Sequence, residues 1–249
     1  MELGVLEVIK HRDFKLKDGV LIQGLPGIGL VGKIAVDYIV SELKLERVAE
    51  AHSEAFLLPM GNAGVLIDNK GIIRLPHYSF YLHKGEKRDL IFLTSEVQPV
   101  SWLQHKVAEE VLDFFQSVGG VEVVGVCGTT SRGEKRAVYY AAGSHDVAEW
   151  LDKMGFKRSG GGTITGACGL LPALAAKRGL RAYVLMGTAV SSEPDPEGGR
   201  LIVEAVSRLF DLKVDLRNLD KVIEELRRMQ REVERYKEIR EEGRPGYYV

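Results

Sequence analysis

Only two cysteines, Cys127 and Cys168, occur in the 249 residues, and they form no CxxC pair. No structural zinc site follows from that spacing. Both thiols are expected to be reduced, although one disulfide between them stays open at this level. No stretch approaches the roughly 18 consecutive apolar residues of a membrane-spanning helix. Met1-Glu2-Leu3-Gly4 does not open a charged-then-apolar signal segment, so a soluble, cytoplasmic protein is the expectation. An excess of one charge is also missing, because 34 basic residues stand against 35 acidic ones. That balance offers neither the basic field that nucleic acid requires nor a polybasic membrane anchor. Neither is an expected partner. The six histidines (His11, His52, His77, His83, His105 and His145) show no ligand spacing, so no metal is expected. Asn and Gln are scarce in a chain that is 28% charged, a bias found in thermophilic proteins.

What the chain does have is apolar sequence in short runs, 45% of all residues, which is ample for a core. Gly19 to Gln23 and Leu90 to Leu93 read as buried strands. Val31 to Leu43 reads as a helix, and Pro99 is expected to open another carrying Leu103, Val107, Val111, Phe114 and Phe115. Asp68-Asn69-Lys70-Gly71 between two aliphatic runs is a hairpin signal. Further strands are expected at Val121 to Val126, Ala137 to Ala142 and Tyr183 to Met186. A helix follows Ser144, a plausible N-cap. Another spans Ala167 to Lys177, with Pro172 expected in its first turn. His77 to Tyr81 is aromatic-rich and reads as an interface or core edge. Glu193-Pro194-Asp195-Pro196-Glu197 reads as an acidic surface loop before the last domain helix. Strands alternating with helices favour an α/β fold with a largely parallel sheet covered on both faces.

The pattern changes near residue 213. Leu219, Val222, Leu226, Met229, Val233 and Tyr236 repeat at intervals of 3 and 4, the a/d seam of a coiled coil. Such a stripe serves a helix packed on its own domain, or an arm that pairs with another chain or projects. The division expected is an α/β domain over residues 1–212, a helical arm over 213–242 and a mobile tail over 243–249. Gly243, Pro245 and Gly246 end the arm.

Two glycine-rich loops are the candidate sites. In the first, Gly27, Gly29 and Gly32 fit the dinucleotide pattern GxGxxG, and Gly27 with Gly32-Lys33 fits most of a P-loop. Each match is incomplete. Ile34 stands where a P-loop needs a hydroxyl for magnesium. Glu46 and Glu50, in range for a ribose contact, lie in a segment that does not read as a strand. Close packing between strand and helix is the alternative use of these glycines. The second loop, Gly160 to Gly169, places Cys168 near a helix start. Nucleophile and packed core thiol are both open there. No catalytic constellation and no cofactor is expected.

Leu25-Pro26-Gly27-Ile28-Gly29-Leu30-Val31-Gly32 resembles the first signature of the proteasome assembly chaperone family, in its archaeal and bacterial branch. Gly162 to Leu171, containing Gly166 and Gly169, resembles the second. The resemblance spans roughly residues 5–212. It implies a three-layer, nucleoside-phosphorylase-like α/β sandwich and a homo-oligomer, with a related subunit possible in the assembly. It implies no established catalysis, and it assigns the glycines to packing. At the other end, Tyr247-Tyr248-Val249 resembles the hydrophobic-tyrosine-any motif by which proteasome activators engage the outer ring of the core particle. These features imply a proteasome-binding chaperone or activator. A small-molecule enzyme with a nucleoside or phosphate pocket at the glycine loops is the alternative.

Overall fold

A computed structural model describes residues 5–130 and 135–242. The chain divides into two compact units, Met1–Val214 and Asp215–Val249.

The first unit opens with β1 (Glu7–Lys10) and β2 (Gly19–Gly24), then a single 3-10 turn and α1 (Val31–Glu42). β3 (Glu46–His52) follows, then a small hairpin of β4 (Leu66–Ile67) and β5 (Ile73–Arg74). β6 (Tyr78–His83), β7 (Leu90–Thr94), α2 (Gln104–Ser117) and β8 (Gly120–Thr130) complete the first half. The second half contains β9 (Val138–Ala142), α3 (His145–Lys153), β10 (Lys157–Arg158), α4 (Ala167–Lys177), β11 (Arg181–Ala189) and α5 (Pro196–Phe210).

Nine strands join in the order β1-β3-β6-β7-β2-β8-β11-β9-β10. The central four, β7, β2, β8 and β11, pair in parallel. Antiparallel pairing begins at β6 on one side and at β9 on the other. α2 and α4 pack together, as do α1 and α5, on opposite faces of this centre. Strands covered on both faces lose the polar alternation of a half-exposed strand, and β2 and β7 are buried along their whole length. Leu112 and Phe115 of α2 and Leu171 of α4 meet Leu21 and Val123 of the sheet in one core. Each such side chain contributes about 1.5–3 kcal/mol when fully buried. The expected α/β class is therefore observed, with its parallel pairing concentrated at the centre of the sheet.

The hairpin forms where its turn residues place it. Asp68 Oδ1 accepts from the Lys70 and Ile72 N–H groups at 2.8 and 2.9 Å. Gly71 takes the left-handed conformation at φ +79°.

Several local readings need correction. α2 begins at Gln104 rather than Pro99: residues 100–103 form a turn closed by the Leu103 N–H on the Val100 carbonyl at 3.0 Å, and the Val100 N–H donates to the Ala55 carbonyl at 2.9 Å. Pro172 lies in the second turn of α4, where it denies an N–H to the Cys168 carbonyl. That carbonyl instead packs over Gly125 of β8, where a Cβ would collide with it. The segment around Glu46 and Glu50 is a strand after all. Val48, Ala49 and Ala51 face the core while Glu50 pairs with Arg47 at 3.2 Å. Of the two readings of the aromatic stretch, interface or core edge, the structure gives the core. Tyr78 and Phe80 are buried, Tyr78 stacked on Phe56 and Phe80 edge-on to Phe114.

The cysteines are not reduced thiols. Cys127 at the end of β8 and Cys168 in the first turn of α4 form a disulfide, with Cα atoms 6.3 Å apart. Sequence cannot bring residues 41 positions apart together; the α4-on-β8 packing does. A staple of this span contributes about 4 kcal/mol by the loop-closure argument. Cys168→Ser should therefore lower the calorimetric melting temperature by roughly 8–16 °C. Adding reductant to that variant should change nothing further. A variant that melts with the wild type would show that the bond has no stabilising role.

The second unit contains α6 (Arg217–Glu242). Asp215 starts it, accepting from the Arg217 N–H at 3.0 Å and the Arg217 Nε at 2.7 Å. Val222, Leu226 and Met229 of the heptad stripe are exposed. No described helix is long and apolar enough to cross a membrane. Tyr247, Tyr248 and Val249 lie outside the described residues.

Candidate functional site

Both glycine loops lie at the C-terminal end of the parallel strands, where α/β folds place their ligand sites. The first follows β2 and the second enters α4, and a groove of about 1080 Å³ runs between them. Pro26, Ile28, Leu58, Trp102 and Ile164 line it, with the Cys127–Cys168 disulfide at its floor. Trp102 is 77% exposed, an extreme value for so large an apolar ring.

Gln98, on the turn after β7, joins the two loops. Its side-chain amide donates to the Pro26 carbonyl, and its Oε1 accepts from the Ala167 N–H at 3.2 Å. Sequence reasoning missed it. One signal was present: a lone Gln beside Pro99 after a buried strand, in a chain poor in Gln. Gly166 stands at φ +79° directly against that amide, so any side chain there would displace Gln98. Gly169 abuts Ile164.

The first loop is packed rather than open. Gly32 sits on β8, where a Cβ would overlap the Val126 carbonyl. The Gly29 carbonyl accepts from the Asp195 N–H at 2.8 Å. Gly27 has nothing within 4 Å of where a Cβ would lie.

Asp195 is no surface acid. It is buried and caps α5, accepting from the Gly198 N–H, the Val190 N–H and the Arg136 guanidinium, all at about 2.9–3.0 Å. Burial pushes its carboxyl up, but these donors outweigh it and hold it below the ordinary range. Among the described residues, no group of three His, Cys, Asp or Glu side chains could hold a metal ion.

Lys33, the P-loop-like lysine, is turned away from phosphate duty. Its ammonium bridges Asp37 at 2.7 Å and Glu96 at 3.1 Å. Burial lowers its pKa, and the two carboxylates more than restore it, leaving it above the ordinary lysine value. Thr94 fixes Asp37 in turn, donating to it at 2.6 Å. The dinucleotide pattern fails on topology. It needs the next strand parallel to β2 and beside it. β3, which carries Glu46 and Glu50, runs in the direction of β2 but lies three places from it, with β6 and β7 between. Calorimetry with ATP, GTP and NAD should accordingly give no saturable heat at micromolar concentration. Saturable binding of any one would revive the phosphate-pocket reading.

Comparison with known proteins agrees with this architecture. The PAC2 family model matches residues 21–236. The fold is similar to that of Pyrococcus furiosus PbaB, described as an archaeal proteasome activator. The TM-score is 0.85 at 28% identity, covering 93% of this chain and all of that one. It is also similar to Pyrococcus furiosus PbaA, described as an archaeal homolog of proteasome-assembly chaperone. There the TM-score is 0.75 at 26% identity, over 98% of this chain and 99% of that one. In sequence it is 29% identical to the uncharacterized protein MJ1210 of Methanocaldococcus jannaschii, over 91% of this chain and 86% of that one.

Proposed function

The chain belongs to the PAC2 family, and on that premise we propose that it is an ATP-independent proteasome-binding chaperone or activator. In this reading it is a homo-oligomer that docks Tyr247-Tyr248-Val249 into the outer ring of the core particle. The observation that carries the reading is the end-to-end likeness to PbaB. The packed state of the glycine loop and the engaged Lys33 support a scaffold rather than a phosphate enzyme.

The chemistry of the tail is simple. Tyr247 supplies apolar area, and Tyr248 a ring whose hydroxyl needs a partner. The Val249 carboxylate can pair with a lysine in a pocket. One three-residue contact is weak, but several tails on one oligomer raise the effective concentration of the rest. An exposed heptad stripe at Val222, Leu226 and Met229 is compatible with an arm that carries the tail towards a partner. The direct test is a pull-down of core particle with intact protein and with protein ending at Gly246. The intact chain should retain the particle and the shortened one should not; equal retention would refute tail docking.

A further inference from the structure

The exposed apolar surface of the first unit is concentrated at one end. Ile67, Ile72, Ile73 and Leu75 on the β4–β5 hairpin are 60–69% exposed, and Val65 is 44% exposed. Trp102, Ile28 and Val190 are exposed at the same C-terminal end of the parallel strands. Only Ile9 and Val121 among the described large hydrophobics of that unit are exposed elsewhere.

The hairpin has two unlike faces. Ile67 and Ile73 are cross-strand partners. By alternation Val65 and Leu75 share their face. The other face carries Arg74, whose guanidinium reaches back 3.6 Å to Glu96 of the domain, and Leu66, which is half-buried. The aliphatic face therefore points away from the body. A two-stranded hairpin of this size has little stability of its own in water, and contiguous apolar surface of this kind marks an interaction site.

We propose that this end is where a second copy of the chain docks, the hairpin of each copy lying in the glycine-loop groove of the other. The inference deepens the homo-oligomer of the proposed function and rests on that part of it. Three observations select a second copy. First, ridge and groove are adjacent on one chain, since Leu58, Pro59 and Gly61 line the groove just before the hairpin begins. A two-fold contact then buries both at once, each residue meeting its counterpart's partner. Second, the facing surfaces are apolar, since the hairpin's charged residues Asp68, Lys70 and Arg74 lie at its turn or on its other face. Among the described residues lining the groove, Glu96 is the one that is charged, and it is already paired with Lys33 and Arg74. Third, the area suffices. The six exposed side chains of ridge and groove, Val65, Ile67, Ile73, Leu75, Ile28 and Trp102, offer on the order of 100 Å² each and give about 600 Å² per copy, within the range of stable interfaces.

The test uses full-length protein at micromolar concentration, with mass measured by light scattering after gel filtration. The wild type should be an oligomer. Ile67→Asp/Ile73→Asp and, separately, Trp102→Ala should at least halve its mass, with unchanged circular dichroism and melting temperature. Val121→Asp, at the opposite end, should leave the mass alone. A monomeric wild type, an undiminished mass in the hairpin variant, or equal dissociation by Val121→Asp would overturn the proposal. Core-particle pull-down of the same proteins separates this from the functional reading. Protein ending at Gly246 should keep its mass and lose the particle, and retention would count against tail docking alone. A hairpin variant that keeps its mass yet loses the particle would assign the face to the particle and overturn self-docking.

Discussion

Tyr248→Ala is expected to reduce core-particle binding below detection while leaving the α/β domain folded. The substitution removes burial of an aromatic ring, about 1.5–3 kcal/mol when complete, and a hydroxyl contact of about 1 kcal/mol. A single tail thus loses about 2.5–4 kcal/mol, close to two to three decades of affinity. In the oligomer proposed above several tails would engage together, and the loss would be compounded. Deleting Val249 moves the carboxylate one residue and leaves Tyr248 out of register. Amidation removes the negative charge, and a C-terminal extension displaces it. All of these variants should fail alike. Core-particle retention and stimulation of peptide hydrolysis would be measured for each beside the wild type. Binding at wild-type strength in all of them would show that the terminus takes no part.

Gly32→Ala should destabilise the first unit by about 3 kcal/mol or more, while Gly27→Ala should change stability by less than about 0.5 kcal/mol. The two glycines belong to one motif but stand in opposite surroundings. At Gly32 the added carbon falls on the Val126 carbonyl, and backbone on both sides must move apart. At Gly27 the space is open, and φ is −171°, extended backbone that alanine adopts without strain. In melting temperature the first change corresponds to roughly 6–12 °C or more and the second to 2 °C or less. Thermal melts of the purified variants decide the matter. A stable Gly32→Ala would remove packing as the reason for that glycine. A large loss at Gly27 would point to a contact made by the loop with something other than its own fold.

Much of this architecture was legible because its signals are local. Val20-Leu21-Ile22 and Leu90-Ile91-Phe92-Leu93 are continuous apolar runs, and only strands buried on both faces carry them at that length. Asp68 to Gly71 formed its turn because the Asp68 carboxylate bonds its own backbone. Strand β3, second from the edge of the sheet between β1 and β6, was invisible for the complementary reason. Glu46, Arg47 and Glu50 interrupt its apolar pattern, and the partners Arg12 of Glu46 and His11 of Glu50 come from the neighbouring β1 region, remote in sequence. The aromatic stretch at Tyr78 stayed open between interface and core edge on the same ground, since Phe56 and Phe114, which cover it, are remote in sequence.

The sequence by itself determined the α/β class, the two signature loops, the neutral charge balance and the heptad stripe. Each depends on residue type and short-range spacing alone. The tertiary structure decided what those loops do. Gln98 bridging Pro26 to Ala167, Lys33 engaged by Asp37 and Glu96, and Asp195 buried under Arg136 all join residues from separate elements. The same holds for Cys127 and Cys168, which the packing of α4 on β8 brings together. Such contacts follow from strand order, and strand order is set by how apolar faces are buried across the whole domain. No window of sequence contains that information.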